Sequence, residues 1–309
     1  MATASRAAGG VRRRYREATS GLRVLPDYLV IGAQRAGSTS LHDYLVGHPH
    51  VDEPTHKELH FFDQNHWRGE GWYRRHFPSR LARAAHERRT GVRPVVGEAS
   101  PYYLFHPLVP ERVRATLPDA RLVVLLRNPV ERAYSHHQLA VRQGLESLSF
   151  EDALAAEPDR LAGEEERLRA DPRYRSDGHR HHAYFARGLY AEQLERWLGL
   201  FPRDQLLILR SENLFADPAA VHAEVIRFLG LDPVELPAYV ARNQQAYAPM
   251  PAETRRMLEE RFAEPNRRLA ELLGRDFDWS GSGPAEPKHP AGGVAGGAEV
   301  AGREEAEHR

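Results

Sequence analysis

The segment from Tyr28 to Leu45, YLVIGAQRAGSTSLHDYL, constrains the fold more than any other part of the chain. It opens with an apolar run that predicts a buried strand, crosses a short loop between Gly32 and Gly37, and then shows apolar residues at helical spacing. A strand, tight loop and helix in this order predict one βα unit of a parallel sheet. The first N–H groups of that helix have no partner inside it and share the positive end of the helix dipole, so the loop suits a phosphate or sulfate group.

The loop differs by one residue from the P-loop pattern G-x-x-x-x-G-K-[ST]. Ser38 stands where that pattern has lysine, and Arg35 is the cation of the loop. In nucleoside-triphosphate enzymes the lysine reaches the β- and γ-phosphates, and the following hydroxyl holds magnesium. This loop can still bind an anion, but the charge of Arg35 would be directed at a different atom of it. An ordinary βα turn that binds no ligand fits the same residues.

Composition excludes several classes of protein. The 309 residues carry 43 basic and 43 acidic side chains, a balance that argues against a dedicated nucleic-acid-binding protein. Because the chain has no cysteine, it has no disulfide and no cysteine-ligated metal site. No apolar run approaches the roughly 20 residues of a membrane-spanning helix, and the first 25 residues lack the continuous apolar core of a secretory signal. We therefore expect a soluble, cytoplasmic protein.

The chain is long enough for a single α/β core, which we place at residues 27–279. Residues 1–26, with basic side chains at Arg12 to Arg14 and Arg16, predict a flexible basic arm with some helix in it. Residues 280–309 are rich in Gly, Ala, Pro and Glu and have no apolar periodicity, so we expect a disordered tail.

A second strand, loop and helix unit lies between Arg121 and His137, RLVVLLRNPVERAYSHH. The apolar run 122–126 predicts a strand buried on both faces, as in a parallel sheet. Asn128 can cap the following helix, and Pro129 suits the first helical position. Glu131 has the spacing of a capping box, in which its side chain accepts the N–H of the cap residue.

Arg127 and Ser135 are candidate anion ligands in this second unit. Arg127 follows the strand, at the edge of the sheet where parallel α/β proteins bind ligands. Ser135 lies about two helical turns further on, so a guanidinium and a hydroxyl can close on one anion. An arginine paired with a carboxylate and a serine facing solvent would fit the same residues.

Glu58 and His60 are candidate functional residues in the segment His50–Asp63, HVDEPTHKELHFFD. The two phenylalanines that follow them predict an anchor in the core. The HKELH run places two histidines four residues apart, but the metalloprotease pattern has Glu directly after the first His. A zinc site is therefore disfavoured.

Residues 94–98 predict a further strand, which ends at Glu98 on the ligand-binding edge of the sheet. Ser100 and Pro101 then predict the start of a helix. Residues 157–182 are polar and crowded with histidines near their end, and they predict a surface insertion and a solvated loop rather than a metal site. The remaining predictions, in chain order, are a helix at 190–198, a strand at 206–209, a helix at 218–229, an irregular loop at 241–250 and amphipathic helix at 251–273 with a break at Pro265.

Together these segments resemble the sulfotransferases that use 3′-phosphoadenylyl sulfate, most closely the branch of heparan-sulfate enzymes and their bacterial relatives. GAQRAGSTSL at 32–41 is similar to their 5′-phosphosulfate loop, LLRNPVERAYSHH at 125–137 to their 3′-phosphate motif, and KELHFFD at 57–63 to their substrate-side segment. With further matches at 97–103 and 187–197, the resemblance covers most of residues 27–279. It implies a single α/β domain with a central parallel sheet flanked by helices, the P-loop-like sulfotransferase fold.

The resemblance implies a role for each candidate residue. Arg127 and Ser135 would bind the 3′-phosphate of the donor. Glu58 would be the general base that takes the acceptor's proton, with His60 as the alternative, and Arg35 would stabilise charge on the departing phosphate. The residues implied to bind the 5′-phosphosulfate are Arg35, Ala36, Gly37, Ser38, Thr39 and Ser40.

The implied partners are 3′-phosphoadenylyl sulfate and a carbohydrate-like or other small acceptor that offers a hydroxyl or, less often, an amine; no metal is implied. The sequence departs from the family pattern at Arg35, where the loop usually has lysine, and near Ala99, where heparan-type members often have a lysine. That second departure weighs against a highly sulfated acceptor. Two alternatives remain, a P-loop phosphotransferase and a nucleotide-binding protein without turnover.

Overall fold

The computed structural model describes residues 2–242 and 247–279, which are organised around one parallel sheet. Its strands are β1 (Tyr28–Gly32), β2 (Val51–Asp52), β3 (Val95–Ala99), β4 (Arg121–Leu126) and β5 (Leu206–Arg210). They lie in the order β2-β3-β1-β4-β5, and every neighbouring pair is parallel. β2 and β3 lie on one side of β1, and β4 and β5 lie on the other. The strand order therefore reverses between β1 and β4, and the carboxyl ends of these two strands form the switch point at which such sheets bind ligands. The predicted α/β fold class is confirmed.

Helices flank the sheet. They are α1 (Ala2–Ala18), α2 (Ser38–Val46), α3 (Gly69–Arg74), α4 (Arg80–Thr90), α5 (Val109–Thr116), α6 (Pro129–Arg142), α7 (Phe150–Leu161), α8 (Glu164–Ala170), α9 (Asp177–His181), α10 (Tyr190–Leu198), α11 (Ser211–Ala216), α12 (Pro218–Phe228) and α13 (Ala252–Leu273). Within the described ranges none of these helices has the length and apolar character needed to span a bilayer.

The strand and helix of the second βα unit form as predicted. Residues 122–126 of β4 are buried, and the Asn128 side chain accepts the N–H groups of Val130 (2.9 Å) and Glu131 (3.4 Å), with Pro129 at the first position of α6. The capping-box prediction for Glu131 is wrong. The Asn128 N–H donates instead to Glu212 Oε1 in α11 (2.9 Å), while the Glu131 carboxylate pairs with Arg255 (2.6 Å between Oε1 and Nη1).

A helix does not begin at Ser100. The N–H of Ser100 donates to the Val30 carbonyl (3.1 Å) and that of Leu104 to the Ile31 carbonyl (2.8 Å), so this segment is bonded to β1 and forms a run of turns rather than a helix. The break predicted at Pro265 is also absent, since α13 continues through it. Burial of its apolar face outweighs the local cost of the proline.

Residues 157–182 are helical rather than a solvated loop. They contribute the end of α7, then α8 and α9. His179 is only 2% exposed, stacks on the Phe105 ring at 4.2 Å between centroids and bonds through Nδ1 to the Tyr102 hydroxyl (2.7 Å). The apolar positions spread through this charged segment are enough to fold it against the domain.

The amino-terminal segment contains a helix, as the prediction of a partly helical arm allowed. Residues Ala2–Ala18 form α1, and Arg16 in its last turn donates to the carbonyls of Arg75 (2.5 Å) and Phe77 (2.9 Å). The division of the chain at residue 26 stays a prediction. The tail predicted at 280–309 lies outside the described residues, as does part of the loop predicted at 241–250.

Candidate active site

The loop at 33–37 joins β1 to α2 at the carboxyl edge of the sheet. Gly37 starts α2 with a left-handed φ of 94°, and a Cβ atom at this position would lie 3.0 Å from Leu214 Cδ2. Only glycine satisfies both conditions without strain. The Ala36 carbonyl accepts the Ser211 hydroxyl (2.7 Å), which fixes the loop to the first residue of α11. The Ala36 N–H, a predicted anion donor, is engaged inside the loop by the Ala33 carbonyl (3.2 Å).

The two predicted anion-binding units meet at Arg35. Its Nε donates to Ser135 Oγ (2.9 Å), and its carbonyl accepts Arg127 Nη1 (3.0 Å). Residues 100 positions apart in the chain are thus brought into direct contact. Ser135 is 1% exposed, so its hydroxyl does not face solvent, contrary to the alternative in the sequence analysis.

The cluster of Arg35, Arg127 and Ser135, named here the arginine cluster, carries uncompensated positive charge. Among the described residues no carboxylate lies within ion-pair distance of Arg35 or Arg127. Burial and the neighbouring Arg127 lower the pKa of Arg35 to about 10, which leaves it charged at neutral pH. A cationic cluster beside a helix start is suited to an anionic ligand.

Glu58 lies in a turn held in an unusual backbone conformation. Glu58 and His60 have φ angles of 58° and 50°, which residues other than glycine seldom adopt. Asn65 Nδ2 stabilises the turn by donating to the carbonyls of Leu59 (3.2 Å) and His60 (3.1 Å). Strain of this kind persists where the surrounding structure enforces it, often at functional sites. The histidines of the HKELH run share no helix face, because the run is not helical.

The Glu58 carboxylate belongs to a chain of charged groups. It pairs with Lys57, and its Oε2 lies 3.5 Å from His60 Nε2. The other ring nitrogen of His60, Nδ1, lies 2.6 Å from Asp63 Oδ2, and the Asp63 side chain is completely buried. The four side chains of Lys57, Glu58, His60 and Asp63 are named here the carboxylate relay.

Electrostatics within the carboxylate relay fix its protonation states. Burial alone would lower the pKa of His60, but Asp63 and Glu58 outweigh it and raise the pKa to about 10. Burial would raise the pKa of Glu58, but hydrogen bonding to His60 and the charge of Lys57 lower it to about 2. At neutral pH Glu58 is therefore ionised and His60 protonated. A protonated His60 has no lone pair for a proton, so the raised pKa does not favour it as the alternative base.

Glu98 is hydrogen-bonded to the turn that holds Glu58. It is fully buried and accepts hydrogen bonds from the hydroxyls of Tyr73 (2.6 Å), Tyr103 (2.9 Å) and Ser100 (3.0 Å) and from the Leu59 N–H (3.3 Å). The Leu59 contact anchors the residue next to Glu58. As predicted, Glu98 lies near the carboxyl end of a strand, here β3.

Glu98 is expected to make stability pH-dependent. Burial, only partly opposed by these hydrogen bonds, raises its pKa from 4.5 to about 7. A group with a raised folded-state pKa contributes stability that is complete below pH 4.5 and is lost as the pH rises through 7, a difference of roughly 3 kcal/mol. Denaturant unfolding from pH 4.5 to 7.5 should show wild type losing stability relative to Glu98→Gln. Parallel curves for the two proteins would contradict this assignment.

Sequence reasoning missed the roles of Lys57 and Asp63. In the sequence, Lys57 is one residue of the HKELH run and Asp63 ends the segment His50–Asp63, and no local pattern connects either of them to Glu58. The i, i+3 spacing from His60 to Asp63 was the available signal. Outside a helix, however, that spacing does not by itself predict a contact.

Comparison with known proteins identifies the family. The profile described as "Sulfotransferase domain" matches residues 25–246. The chain is 28% identical to the membrane-associated sulfotransferase kil1 of Dictyostelium discoideum, over 82% of this chain and 66% of that protein. It is 30% identical to heparan sulfate glucosamine 3-O-sulfotransferase 6 of Homo sapiens, over 84% of this chain and 75% of that protein.

A solved structure shows the same architecture. The sulfotransferase from Alicyclobacillus acidocaldarius aligns with a TM-score of 0.60 at 33% identity, covering 82% of this chain and 97% of that chain. The present chain spans 66%, about two thirds, of the length of kil1. Because the family profile matches well over half of the chain and this neighbour shares its P-loop-like fold, the chain belongs to the sulfotransferase family, near the heparan-sulfate branch.

Proposed function

We propose that this protein transfers the sulfuryl group of 3′-phosphoadenylyl sulfate to a hydroxyl, or less often an amine, of a carbohydrate-like or other small acceptor. The observation that carries the proposal is the contact of Arg35 with both Ser135 and Arg127, which joins two anion-binding units into one site. A nucleotide with anionic groups at both its 3′ and 5′ positions matches such a site better than a linear triphosphate does. A cytoplasmic location stays a prediction that composition alone supports.

In the proposed reaction Glu58 takes the proton of the acceptor hydroxyl. A bond forms between that oxygen and sulfur while the bond from sulfur to the phosphate oxygen breaks, and the departing phosphate keeps the electron pair. Arg35 balances the charge that develops on this phosphate. The loop and the arginine cluster hold the donor in line, so catalysis rests on positioning and electrostatics.

The low pKa of Glu58 requires an explanation, because a weakly basic carboxylate is a poor proton acceptor. Lys57 is one of the causes of the lowered pKa. If its ammonium group turns from Glu58 to the sulfuryl oxygens when the donor binds, the basicity of Glu58 rises at the moment it is needed. His60, held protonated by Asp63, then acts by orienting the carboxylate rather than by taking the proton.

A basic and aromatic surface near Asp63 supports a carbohydrate-like acceptor. Trp67 is 46% exposed, with the guanidinium of Arg68 4.9 Å and that of Arg173 5.0 Å from its ring centroid. An exposed tryptophan can stack on a sugar ring, and the arginines favour a negatively charged group on it.

The test of the proposed function is transfer of label from ³⁵S-labelled donor to panels of sugars, lipids and phenols. We expect labelled product together with adenosine 3′,5′-bisphosphate. A protein that binds the bisphosphate but forms no labelled product and releases no sulfate would be a nucleotide-binding protein without turnover.

Arg127→Ala is expected to weaken binding of adenosine 3′,5′-bisphosphate much more than binding of adenosine 5′-monophosphate. Only the first nucleotide has the group assigned to Arg127, and a charge-assisted contact of this type contributes about 1.5–3 kcal/mol. Titration calorimetry measures both affinities. Arg142→Ala is the matched control, since Arg142 adds to the field at Arg35 from an exposed position. Equal losses for the two nucleotides in Arg127→Ala would contradict the 3′-phosphate assignment.

A further inference from the structure

Arg187 connects the donor loop to the opposite wall of the site. Its side chain is buried, with the residue 3% exposed, and Nη1 donates to the side-chain oxygen of Gln34 in the loop. Nη2 donates to the carbonyls of His179 (3.0 Å) and Arg180 (2.7 Å), at the end of α9. One guanidinium group thus touches two segments that are about 145 residues apart in the sequence.

Neighbouring groups hold the guanidinium of Arg187 in place. It lies 4.7 Å from the ring centroid of Tyr102 and 5.2 Å from that of Phe105. Its own backbone turn is tied down by Glu157, which accepts the N–H groups of Phe185 (2.7 Å) and Ala186 (2.8 Å). A guanidinium fixed in this way transmits a displacement of one partner to the other.

The charge of Arg187 is not neutralised by the protein. Among the described residues no carboxylate forms an ion pair with it, and its Nε has no hydrogen-bond partner there. Burial lowers its pKa to about 9, so it stays charged at neutral pH. A buried cation without a counter-ion interacts favourably with an anion that enters the adjacent loop.

The far end of this connection reaches the carboxylate relay. The Arg180 guanidinium faces the side chain of Gln64, and with the amide oxygen turned towards it Nε and Nη1 lie 3.2 and 3.3 Å from that oxygen. Gln64 is the neighbour of Asp63, and its N–H donates to Asp63 Oδ1 (2.8 Å). Polar contacts therefore run from Gln34 through Arg187 and α9 to the residue that holds His60.

We propose that Arg187 is a positioning residue that couples occupancy of the donor loop to the order of α9 and the carboxylate relay. An anion in the loop fixes Gln34, Gln34 fixes Arg187, and Arg187 fixes the carbonyl end of α9. These contacts exist without the anion, and the anion would stabilise them further, so that the acceptor side becomes more ordered when the donor is in place. This inference rests on the proposed function for the identity of the anion, but the link itself is a property of the protein without ligand.

The link is tested first without ligand, by amide hydrogen exchange. We expect Arg187→Met to speed exchange roughly tenfold or more in both the donor loop, residues 32–38, and α9, residues 177–181. Arg196→Met is the matched control, because Arg196 donates to the Phe105 carbonyl (3.1 Å) but does not contact Gln34. Faster exchange in α9 alone, with the loop unchanged, would overturn the coupling.

Gln34→Leu provides a second variant in case the loss of Arg187 prevents folding. It keeps the contacts of Arg187 with α9 and removes only the contact with the loop. In wild type, adenosine 3′,5′-bisphosphate is expected to slow exchange in both the loop and α9, whereas in Gln34→Leu it should protect the loop alone. Equal protection of α9 in the two proteins would overturn the coupling.

Kinetics separate this role from simple support of the fold. Gln34→Leu is expected to raise the acceptor KM about tenfold while donor affinity changes less, because the acceptor wall is no longer held when the donor binds. A loss of donor affinity with an unchanged acceptor KM would contradict the proposal. If the bisphosphate protects no part of wild type, the proposed function fails, while the exchange experiment without ligand still decides whether Arg187 links the two segments.

Discussion

Glu58→Gln is expected to lower kcat by about 10²–10⁴-fold, the contribution typical of a general base. Glutamine has nearly the same shape but cannot accept a proton, so the acceptor hydroxyl would lose the group that takes its proton. Affinity for adenosine 3′,5′-bisphosphate should stay near that of wild type, because Glu58 is assigned to the acceptor side. Single-turnover kinetics with labelled donor measure the chemical step.

The matched control is Glu53→Gln, which makes the same change at an exposed position of the same segment and should leave kcat unchanged. A Glu58→Gln protein that keeps more than about a tenth of wild-type kcat, when chemistry limits the rate, would assign the proton to another group. The ion pair with Lys57 would then be the whole role of Glu58. His60→Asn tests whether His60 takes the proton. If His60 only orients Glu58, this variant should lower kcat less than Glu58→Gln does.

Arg35→Ala is expected to lower kcat by about 10² or more while changing donor affinity less. The negative charge on the departing phosphate is greatest in the transition state, so a cation that serves it acts mainly on kcat. Arg35→Lys should keep substantial activity, because it retains the charge but loses the planar fork. Steady-state kinetics and nucleotide calorimetry on both variants give the two quantities.

The contact of Arg35 with Ser135 suggests an alternative role for Arg35, which is binding the 3′-phosphate. If Arg35 serves the 3′-phosphate together with Ser135, Arg35→Ala should lose affinity for adenosine 3′,5′-bisphosphate and keep it for adenosine 5′-monophosphate, as expected for Arg127→Ala. An unchanged kcat together with that selective loss would move Arg35 from the leaving phosphate to the 3′-phosphate.

The sequence predicts the local parts of this site and misses the contacts between them. The β1 loop and the Asn128 cap depend on neighbouring residues, so spacing and residue type were sufficient to find them. The bond from Arg35 to Ser135 depends on β1 and β4 being neighbours in the sheet, which no local pattern contains. The resemblance to a family placed both residues at the donor without indicating that they touch.

The wrong predictions share a physical cause, which is that tertiary contacts outweighed local preference. Ser100 has the sequence of a helix start, but its N–H is taken by β1. Residues 157–182 have the composition of a solvated loop, but a few apolar side chains and the stacking of His179 on Phe105 fold them onto the domain. No local pattern indicates the contacts of Arg187, because its partners come from two distant segments.

The central claim is that the site binds a nucleotide through separate 3′ and 5′ anionic groups. Titration calorimetry with adenosine 3′,5′-bisphosphate, adenosine 5′-monophosphate and ATP, each with and without magnesium, tests it most directly. We expect the bisphosphate to bind at least about tenfold more tightly than the monophosphate, without need of magnesium, and more tightly than ATP. Tighter binding of ATP with magnesium, or equal binding of the bisphosphate and the monophosphate, would contradict it.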